Sequence, residues 1–160
     1  ILVQGKKCLC NIMNKSAILF ICTHNSARSQ MAEGYLTAMY NDRYTAYSAG
    51  AEVTIVHPLA IEVMKEVGVD ISGHRSKSLQ EFIDGDIDAV VMVCDGAKAA
   101  CPLFSGAKRT IHQEFSDPAS VTGTDQEKIA AFRRIRDEII RWIDESVGPG
   151  GFLDFPISES

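Results

Sequence analysis

Apolar runs alternate along this chain with segments in which apolar side chains recur at helical spacing. Residues 16–22 and 88–94 are dominated by continuous apolar runs, a pattern typical of parallel strands buried on both faces. Residues 44–48 and the weaker segment 107–112 predict two more strands. Four strands separated by helical segments indicate an α/β fold, a four-stranded parallel sheet with helices on both faces.

The helical segments carry recognisable end signals. Four are predicted, at about residues 29–40, 58–67, 78–82 and 124–147. Pro58 suits the first turn of its helix, and Gly68 occupies the position after a helix end that favours glycine. The last helix starts with a capping box at Thr124, carries one apolar stripe and stops at the glycine-rich residues 148–151.

The length of 160 residues suits one domain. No internal repeat or low-complexity block indicates a second unit. We expect an irregular N-terminal lead-in over residues 1–15, the domain itself over 16–146 and a loose C-terminal tail over 147–160.

The composition is that of a globular protein, with 46% hydrophobic and 23% charged residues. Sixteen Lys and Arg against 21 Asp and Glu give a net charge of −5, which argues against a nucleic-acid partner. No apolar stretch approaches the roughly 20 residues of a membrane helix, and no signal peptide is recognisable. The odd number of cysteines, five, favours free thiols and therefore a cytoplasmic protein.

Candidate chemistry gathers at the carboxyl end of the predicted sheet. Cys22 and Cys94 end the two buried runs, so we expect both thiols at the edge where parallel α/β folds bind ligands. Two thiols that close to a disulfide can supply two electrons, and Cys101 lies within reach in sequence. The simpler interpretation is a set of unrelated small core residues.

The segment from Cys22 to Ser29 links a strand to a helix and has the character of an oxyanion site. Its mostly small residues let successive backbone N–H groups converge, and the helix N-terminus adds positive potential. Arg28 offers a planar fork for two oxygens of a tetrahedral anion, and the same field favours the thiolate of Cys22. The pattern predicts an anion held in front of a nucleophile; the alternative is a buried cysteine and a surface arginine.

The stretch ILFICTHNSARSQMAEG, residues 18–34, resembles the active-site segment of arsenate reductases built on the low-molecular-weight tyrosine phosphatase fold. The resemblance continues through residues 48–52, 68–79, 90–102 and 115–118. It covers about residues 16–145, nearly the whole chain outside the two ends.

The resemblance implies a role for each site residue. Cys22 would be the nucleophile, Arg28 the oxyanion clamp, and Cys94 and Cys101 the two resolving cysteines. Asp117 matches the general acid, although an aspartate before proline is also common in turns. The substrate-binding residues would be those of the loop: Thr23, His24, Asn25, Ser26, Ala27, Arg28 and Ser29, the last as hydroxyl partner of the thiolate.

The implied activity is reduction of arsenate to arsenite through a thiol–disulfide relay from Cys22 to Cys94 to Cys101. Thioredoxin or a similar thiol reductant would regenerate the enzyme, and no bound cofactor is expected. We also expect no metal. Some relatives hold potassium near the loop through side chains that include an acidic residue at the position of Lys77, and an ammonium group disfavours a cation there.

Two alternative functions stay open. The first is a low-molecular-weight protein tyrosine phosphatase that uses Cys22, Arg28 and Asp117, with water completing turnover. The additional cysteines argue against it, as does Gln30, where those phosphatases generally carry proline. The second is a thiol redox sensor whose loop binds an anion without turnover.

Overall fold

The computed structural model describes residues 15–94, 104 and 106–154 of the chain. Within these ranges the strands are β1 (Ser16–Cys22), β2 (Tyr44–Gly50), β3 (Ile87–Met92) and β4 (Ala107–His112). The α-helices are α1 (Arg28–Tyr40), α2 (Pro58–Glu66) and α3 (Asp125–Ser146). Short 3₁₀ helices cover Leu79–Phe82 and Pro118–Ser120.

The four strands form one parallel sheet in the spatial order β2–β1–β3–β4. Strand β1 is therefore internal, with Cys22 opposite Gly50 of β2 and Ile21 opposite Met92 of β3. The chain moves to opposite sides of β1 for β2 and β3, which leaves a crevice at the carboxyl ends of the strands. The predicted α/β fold with a four-stranded parallel sheet is confirmed.

Alternation along β1 divides the buried core between the two faces of the sheet. Ile18 and Phe20 belong to the larger cluster, to which all three α-helices contribute apolar side chains. Leu19 belongs to the smaller cluster, against which the 3₁₀ helix at Leu79–Phe82 and the side chain of Phe104 pack. The described α-helices thus cover one face, and the short helix covers the other.

The helix ends form as their local signals predict. Thr124 caps α3, its hydroxyl oxygen accepting from the Glu127 N–H at 3.1 Å. Pro58 occupies the first turn of α2, and Gly68 beyond its end has a φ of +81°, a conformation that favours glycine.

Among the described residues, no helix is both long enough and apolar enough to cross a membrane.

Two strand ends differ from the prediction. Strand β2 continues through Gly50 instead of ending at residue 48, because its last residues still pair with β1. Strand β3 ends at Met92, so Cys94 lies two residues beyond the strand and does not terminate it. Val93 and Cys94 are nevertheless buried, since an apolar run can enter the core without extending the sheet.

The described part of the C-terminal segment, residues 147–154, packs against the domain, so the prediction of a loose tail is wrong there. Leu153 is fully buried; its N–H donates to the Ser146 carbonyl at 2.9 Å, and its carbonyl accepts from the Tyr44 hydroxyl. A Cβ at Gly151 would overlap the Ser146 carbonyl oxygen. The glycines that stop α3 therefore also let the chain fold back.

An ion-pair network joins helix α2 to helix α3. The carboxylate of Glu66 accepts hydrogen bonds from Arg133 Nη2 and Arg136 Nη1, both at 2.7 Å. Hydrogen bonds from Arg133, and then from Arg136, outweigh partial desolvation and lower the pKa of Glu66 from 4.5 to about 2.

Replacing Glu66 by Gln is expected to lower the stability of the protein at pH 7 and to make it less sensitive to acid. The folded-state pKa is depressed, so this stabilisation is present above about pH 4.5 and is lost as the pH falls toward about 2. Urea unfolding of the parent and Glu66→Gln at pH 7 and pH 4 measures the difference. Glu138→Gln, an exposed change on helix α3 that leaves the Glu66 carboxylate in place, is the control. A Glu66→Gln deficit that is the same at both pH values would contradict the assignment.

Candidate active site

The loop between β1 and α1 runs from Cys22, the last residue of the strand, to Arg28, the first residue of the helix. Cys22 is a free thiol and only 2% exposed, so its sulfur lies inside the crevice at the sheet edge. The N-terminus of α1 points into the same place and contributes positive potential. Strand and helix together fix both ends of the loop.

Donors from the surrounding chain hold the carbonyl groups of the loop outward. The pairs are Glu52 N–H to Thr23 at 3.0 Å, Ser76 Oγ to His24 at 2.9 Å, Gln30 Nε2 to Asn25 at 3.2 Å, His57 N–H to Ser26 at 2.8 Å and Met31 N–H to Ala27 at 2.8 Å. In a trans peptide the C=O and the next N–H point in opposite directions. The N–H groups that follow these carbonyls therefore turn toward the inside of the loop, as an oxyanion site requires.

Gly50 at the end of β2 lies against the outside of the loop. A Cβ at this position would come within 2.9 Å of the Thr23 carbonyl oxygen and 2.8 Å of the Asn25 nitrogen. Only glycine allows this approach without displacing the loop. The end of β2 thus constrains the backbone of the loop at residues 23–25.

A chain of hydrogen bonds starts at the sulfur of Cys22. Its Sγ lies 2.8 Å from Ser29 Oγ, and Ser29 Oγ accepts from Asn25 Nδ2, also at 2.8 Å. Asn25 is fully buried with a φ of +51°, the left-handed conformation that Asn tolerates better than most residues. Its Oδ1 accepts from Gln30 Nε2 at 2.9 Å and from the Lys77 N–H at 2.8 Å, which fixes the amide with its nitrogen toward Ser29.

The structure brings Arg28 and Asp117 together. Arg28 is 6% exposed, and its Nη1 donates to the Phe115 carbonyl at 3.1 Å, while its Nη2 lies 3.8 Å from Asp117 Oδ2. The other carboxylate oxygen of Asp117 accepts from the Ala119 N–H at 3.0 Å, capping the short 3₁₀ helix at Pro118–Ser120. Asp117 is therefore both a turn residue and a neighbour of the predicted clamp.

The second predicted thiol, Cys94, is 3% exposed and lies just beyond β3. The Val93 N–H donates to the Ile21 carbonyl at 2.9 Å, which holds this segment beside the end of β1. Cys94 takes part in a disulfide bond, in contrast to the free thiol of Cys22. Cys101, the predicted second resolving cysteine, lies outside the described residues.

Two histidines flank the loop. The side chain of His24 is 45% exposed and points away from the loop interior toward Glu52, with Nε2 at 3.1 Å from the carboxylate. His57 Nδ1 accepts from the Leu59 N–H at 3.1 Å, which leaves its proton on Nε2. Burial lowers the pKa of His57 and outweighs the negative charge of Asp117, which raises it. The imidazole is therefore neutral at pH 7.

Several residues that build the site escaped the sequence analysis. Glu52, Ser76 and His57 hold loop carbonyls from positions 29 to 52 residues away, and the carbonyl of Phe115 orients Arg28. Glu52, Ser76 and Phe115 lie in the quoted similar segments, which do not reveal what each residue touches, and His57 lies outside those segments. The described residues contain no group of three or more His, Cys, Asp or Glu side chains that could hold a metal ion.

A strand–loop–helix site at the edge of a four-stranded parallel sheet agrees with the family that the chain matches. Residues 17–145 match the low molecular weight phosphotyrosine protein phosphatase family, and the chain belongs to it. The arsenate reductase of Halalkalibacterium halodurans is 46% identical over 127 residues, which cover 79% of this chain and 91% of that protein.

Solved structures agree with this placement. One described as an arsenate reductase in the reduced state has a TM-score of 0.66 and 30% identity, covering 81% of this chain and 94% of its own. The thioredoxin-dependent arsenate reductase of Corynebacterium glutamicum has a TM-score of 0.55 and 25% identity, covering 89% of this chain and 72% of its own.

Proposed function

We propose that this protein reduces arsenate to arsenite. The observation that carries the proposal is the free, buried thiol of Cys22, bonded to Ser29 inside a loop of converging N–H groups, with Cys94 just beyond the neighbouring strand. An oxyanion site with one thiol suffices for hydrolysis, whereas a second buried cysteine at the same edge adds reducing capacity. The 46% identity to a protein named arsenate reductase supports this chemistry.

In the first step arsenate binds in the loop, its oxygens facing the N–H groups of residues 23–29 and the guanidinium of Arg28. The Cys22 thiolate attacks arsenic and forms a sulfur–arsenic bond. One arsenate oxygen leaves as water, and Asp117 supplies a proton to it. The closeness of Asp117 Oδ2 to Arg28, 3.8 Å, supports this role because the clamp binds the same anion.

In the second step the Cys94 thiolate attacks the sulfur of Cys22. A Cys22–Cys94 disulfide forms, and the electron pair of the sulfur–arsenic bond stays on arsenic, which becomes arsenite. Cys101 then attacks Cys94, so that Cys22 is released as a thiolate and a Cys94–Cys101 disulfide remains. The free thiol at Cys22 and the disulfide at Cys94 are consistent with this order.

We assign regeneration of the oxidised enzyme to thioredoxin. A dithiol reductant reduces a protein disulfide by exchange and leaves with the two oxidising equivalents. The similarity to a thioredoxin-dependent arsenate reductase supports this partner over other thiols. We place the activity in the cytoplasm, since that compartment maintains reduced thiols.

The proposal is tested by following NADPH oxidation in the presence of arsenate, thioredoxin and thioredoxin reductase. Oxidation that depends on all three additions is expected, with one arsenite formed per NADPH consumed. Omission of thioredoxin should reduce the rate to background, and glutaredoxin with glutathione and glutathione reductase serves as the competing donor. Absence of arsenate-dependent oxidation with both donors would reject the proposal.

Phosphate-monoester hydrolysis is a second candidate, because the family that includes this chain is one of phosphotyrosine phosphatases. The same loop fits a tetrahedral phosphate, and Asp117 could protonate an alkoxide leaving group. The side chain of Gln30 donates hydrogen bonds to the carbonyl oxygens of Asn25 and Arg75 and to Asn25 Oδ1. Proline, which those phosphatases generally carry at this position, could not make these bonds. Hydrolysis of p-nitrophenyl phosphate, compared with arsenate reduction, decides which activity dominates.

Replacing Asp117 by Asn is expected to slow the first chemical step by about 10²–10⁴-fold, the usual contribution of a general acid. Asparagine keeps the side-chain oxygen that caps the 3₁₀ helix, so the turn survives while the proton donor is lost. Rapid-quench measurement of arsenite formed in a single turnover detects the change. If the single-turnover rate is unaltered across neutral pH, Asp117 is a turn residue only.

A further inference from the structure

A buried carboxylate lies beneath the oxyanion loop. Glu33 is 8% exposed and sits on α1 four residues after Ser29, on the same side of the helix. Burying a charged carboxylate is costly unless cations and hydrogen bonds compensate it. The negative charge of Glu33 is also only one helical turn from the Ser29 hydroxyl, which contacts the Cys22 sulfur where a thiolate must form.

Three basic residues face this carboxylate from the segment before the first 3₁₀ helix. Lys77 Nζ lies 3.5 Å from Glu33 Oε1, and His74 Nδ1 lies 3.0 Å from Oε2. The charge of Arg75 interacts with Glu33 at longer range. Lys77 Nζ also contacts Ser48 Oγ at 3.4 Å and the Arg75 carbonyl at 3.1 Å, and its side chain is only 12% exposed. The ammonium is thus enclosed by oxygen atoms.

Lys77 is linked to the nucleophile by its backbone as well. Its N–H donates to Asn25 Oδ1 at 2.8 Å, and Asn25 Nδ2 donates to Ser29 Oγ. Because Ser29 Oγ accepts this bond, its own proton is available for the Cys22 sulfur at 2.8 Å. The backbone of Lys77 therefore fixes the side chain of Asn25, and Asn25 in turn fixes the Ser29 hydroxyl beside the Cys22 sulfur.

We infer that Lys77 is a positioning residue for the Cys22 thiolate: its ammonium neutralises the buried carboxylate of Glu33, and its N–H holds Asn25 and Ser29 in line with the sulfur. The ammonium acts through Glu33 and takes no part in bond making. This role deepens the proposed function, on which it rests only in taking Cys22 as the nucleophile.

The test is the pH dependence of Cys22 alkylation by iodoacetamide, quantified on the Cys22 peptide by mass spectrometry. In Lys77→Met the unpaired carboxylate opposes the thiolate, so the rate below the alkylation midpoint should fall about three- to tenfold. In Glu33→Gln the ammonium is unopposed, and the rate should rise by a similar factor. The double variant should return to within about twofold of the parent, as should Lys77→Arg, which keeps the charge.

Controls separate this effect from folding and from other charges. Lys108→Met removes an exposed lysine elsewhere and should leave the alkylation profile unchanged. The series is repeated in a His74→Gln background, because His74 Nδ1, 3.0 Å from Glu33 Oε2, is the second partner of this carboxylate when the Lys77 ammonium is removed. Arg28 and Asp117, the other charged groups near the sulfur, stay intact in every variant.

Either of two results would overturn the inference: a Lys77→Met profile that matches the parent in both backgrounds, or a double variant that is no faster than Lys77→Met. If Lys77→Met does not fold, Glu33→Gln must still react faster than the double variant, and equal rates reject the role. Alkylation requires neither arsenate nor reductant. A failure here is therefore distinct from a failure of the proposed reductase activity.

Discussion

Replacing Cys22 by Ser should abolish arsenate reduction and any phosphatase activity together, with losses of ~10⁴-fold or more. Both reactions need a thiolate at the same place, and a serine hydroxyl is not ionised at neutral pH without a base to activate it. The substitution is nearly isosteric in a site where the sulfur is 2% exposed and hydrogen-bonded, so the loop should keep its shape.

The matching measurement is anion binding. Phosphate or arsenate should still bind to Cys22→Ser, because the loop N–H groups and Arg28 are unchanged, and calorimetry with inorganic phosphate detects this. Loss of activity with retained binding assigns the defect to the nucleophile. Residual activity well above ~10⁻⁴ of the parental rate in either assay would mean that another group attacks the substrate.

Replacing Cys94 by Ser should stop multiple-turnover arsenate reduction while leaving phosphatase activity within about threefold of the parent. Hydrolysis uses water to complete turnover, whereas reduction needs a second thiol to attack Cys22. Cys94 is buried beside the end of β1 without contributing to the oxyanion loop, so its loss should spare the first chemical step. The split between the two activities is the signature of a resolving cysteine.

Cys101→Ser provides the matched comparison. With Cys94 intact, one arsenite per enzyme should form before turnover stops, and the protein should accumulate a Cys22–Cys94 disulfide visible by peptide mapping. Cys94→Ser should yield no arsenite in the same single-turnover experiment. Parental multiple turnover with thioredoxin in either variant would refute the proposed relay.

The residue types that carry the chemistry of the site could be predicted from local sequence. The contacts that bring distant segments together around the site could not. The loop from Cys22 to Ser29 spans eight consecutive residues, so its nucleophile, clamp and small residues are visible together in the chain. The contact between Arg28 and the Phe115 carbonyl joins residues 87 positions apart, and no local pattern encodes it. The position of Cys94 beyond β3 likewise depends on where pairing with the neighbouring strands stops.

Local sequence predicts the presence of the four strands, the helix ends and the class of chemistry, because apolar periodicity, caps and a strand–loop–helix motif act over a few residues. The folded chain adds which donors hold the loop carbonyls, which cations compensate Glu33 and how residues 147–154 pack against the domain. These features arise from contacts between segments distant in the chain. Their free energy depends on burial and on the partners present, which the order of residues does not specify.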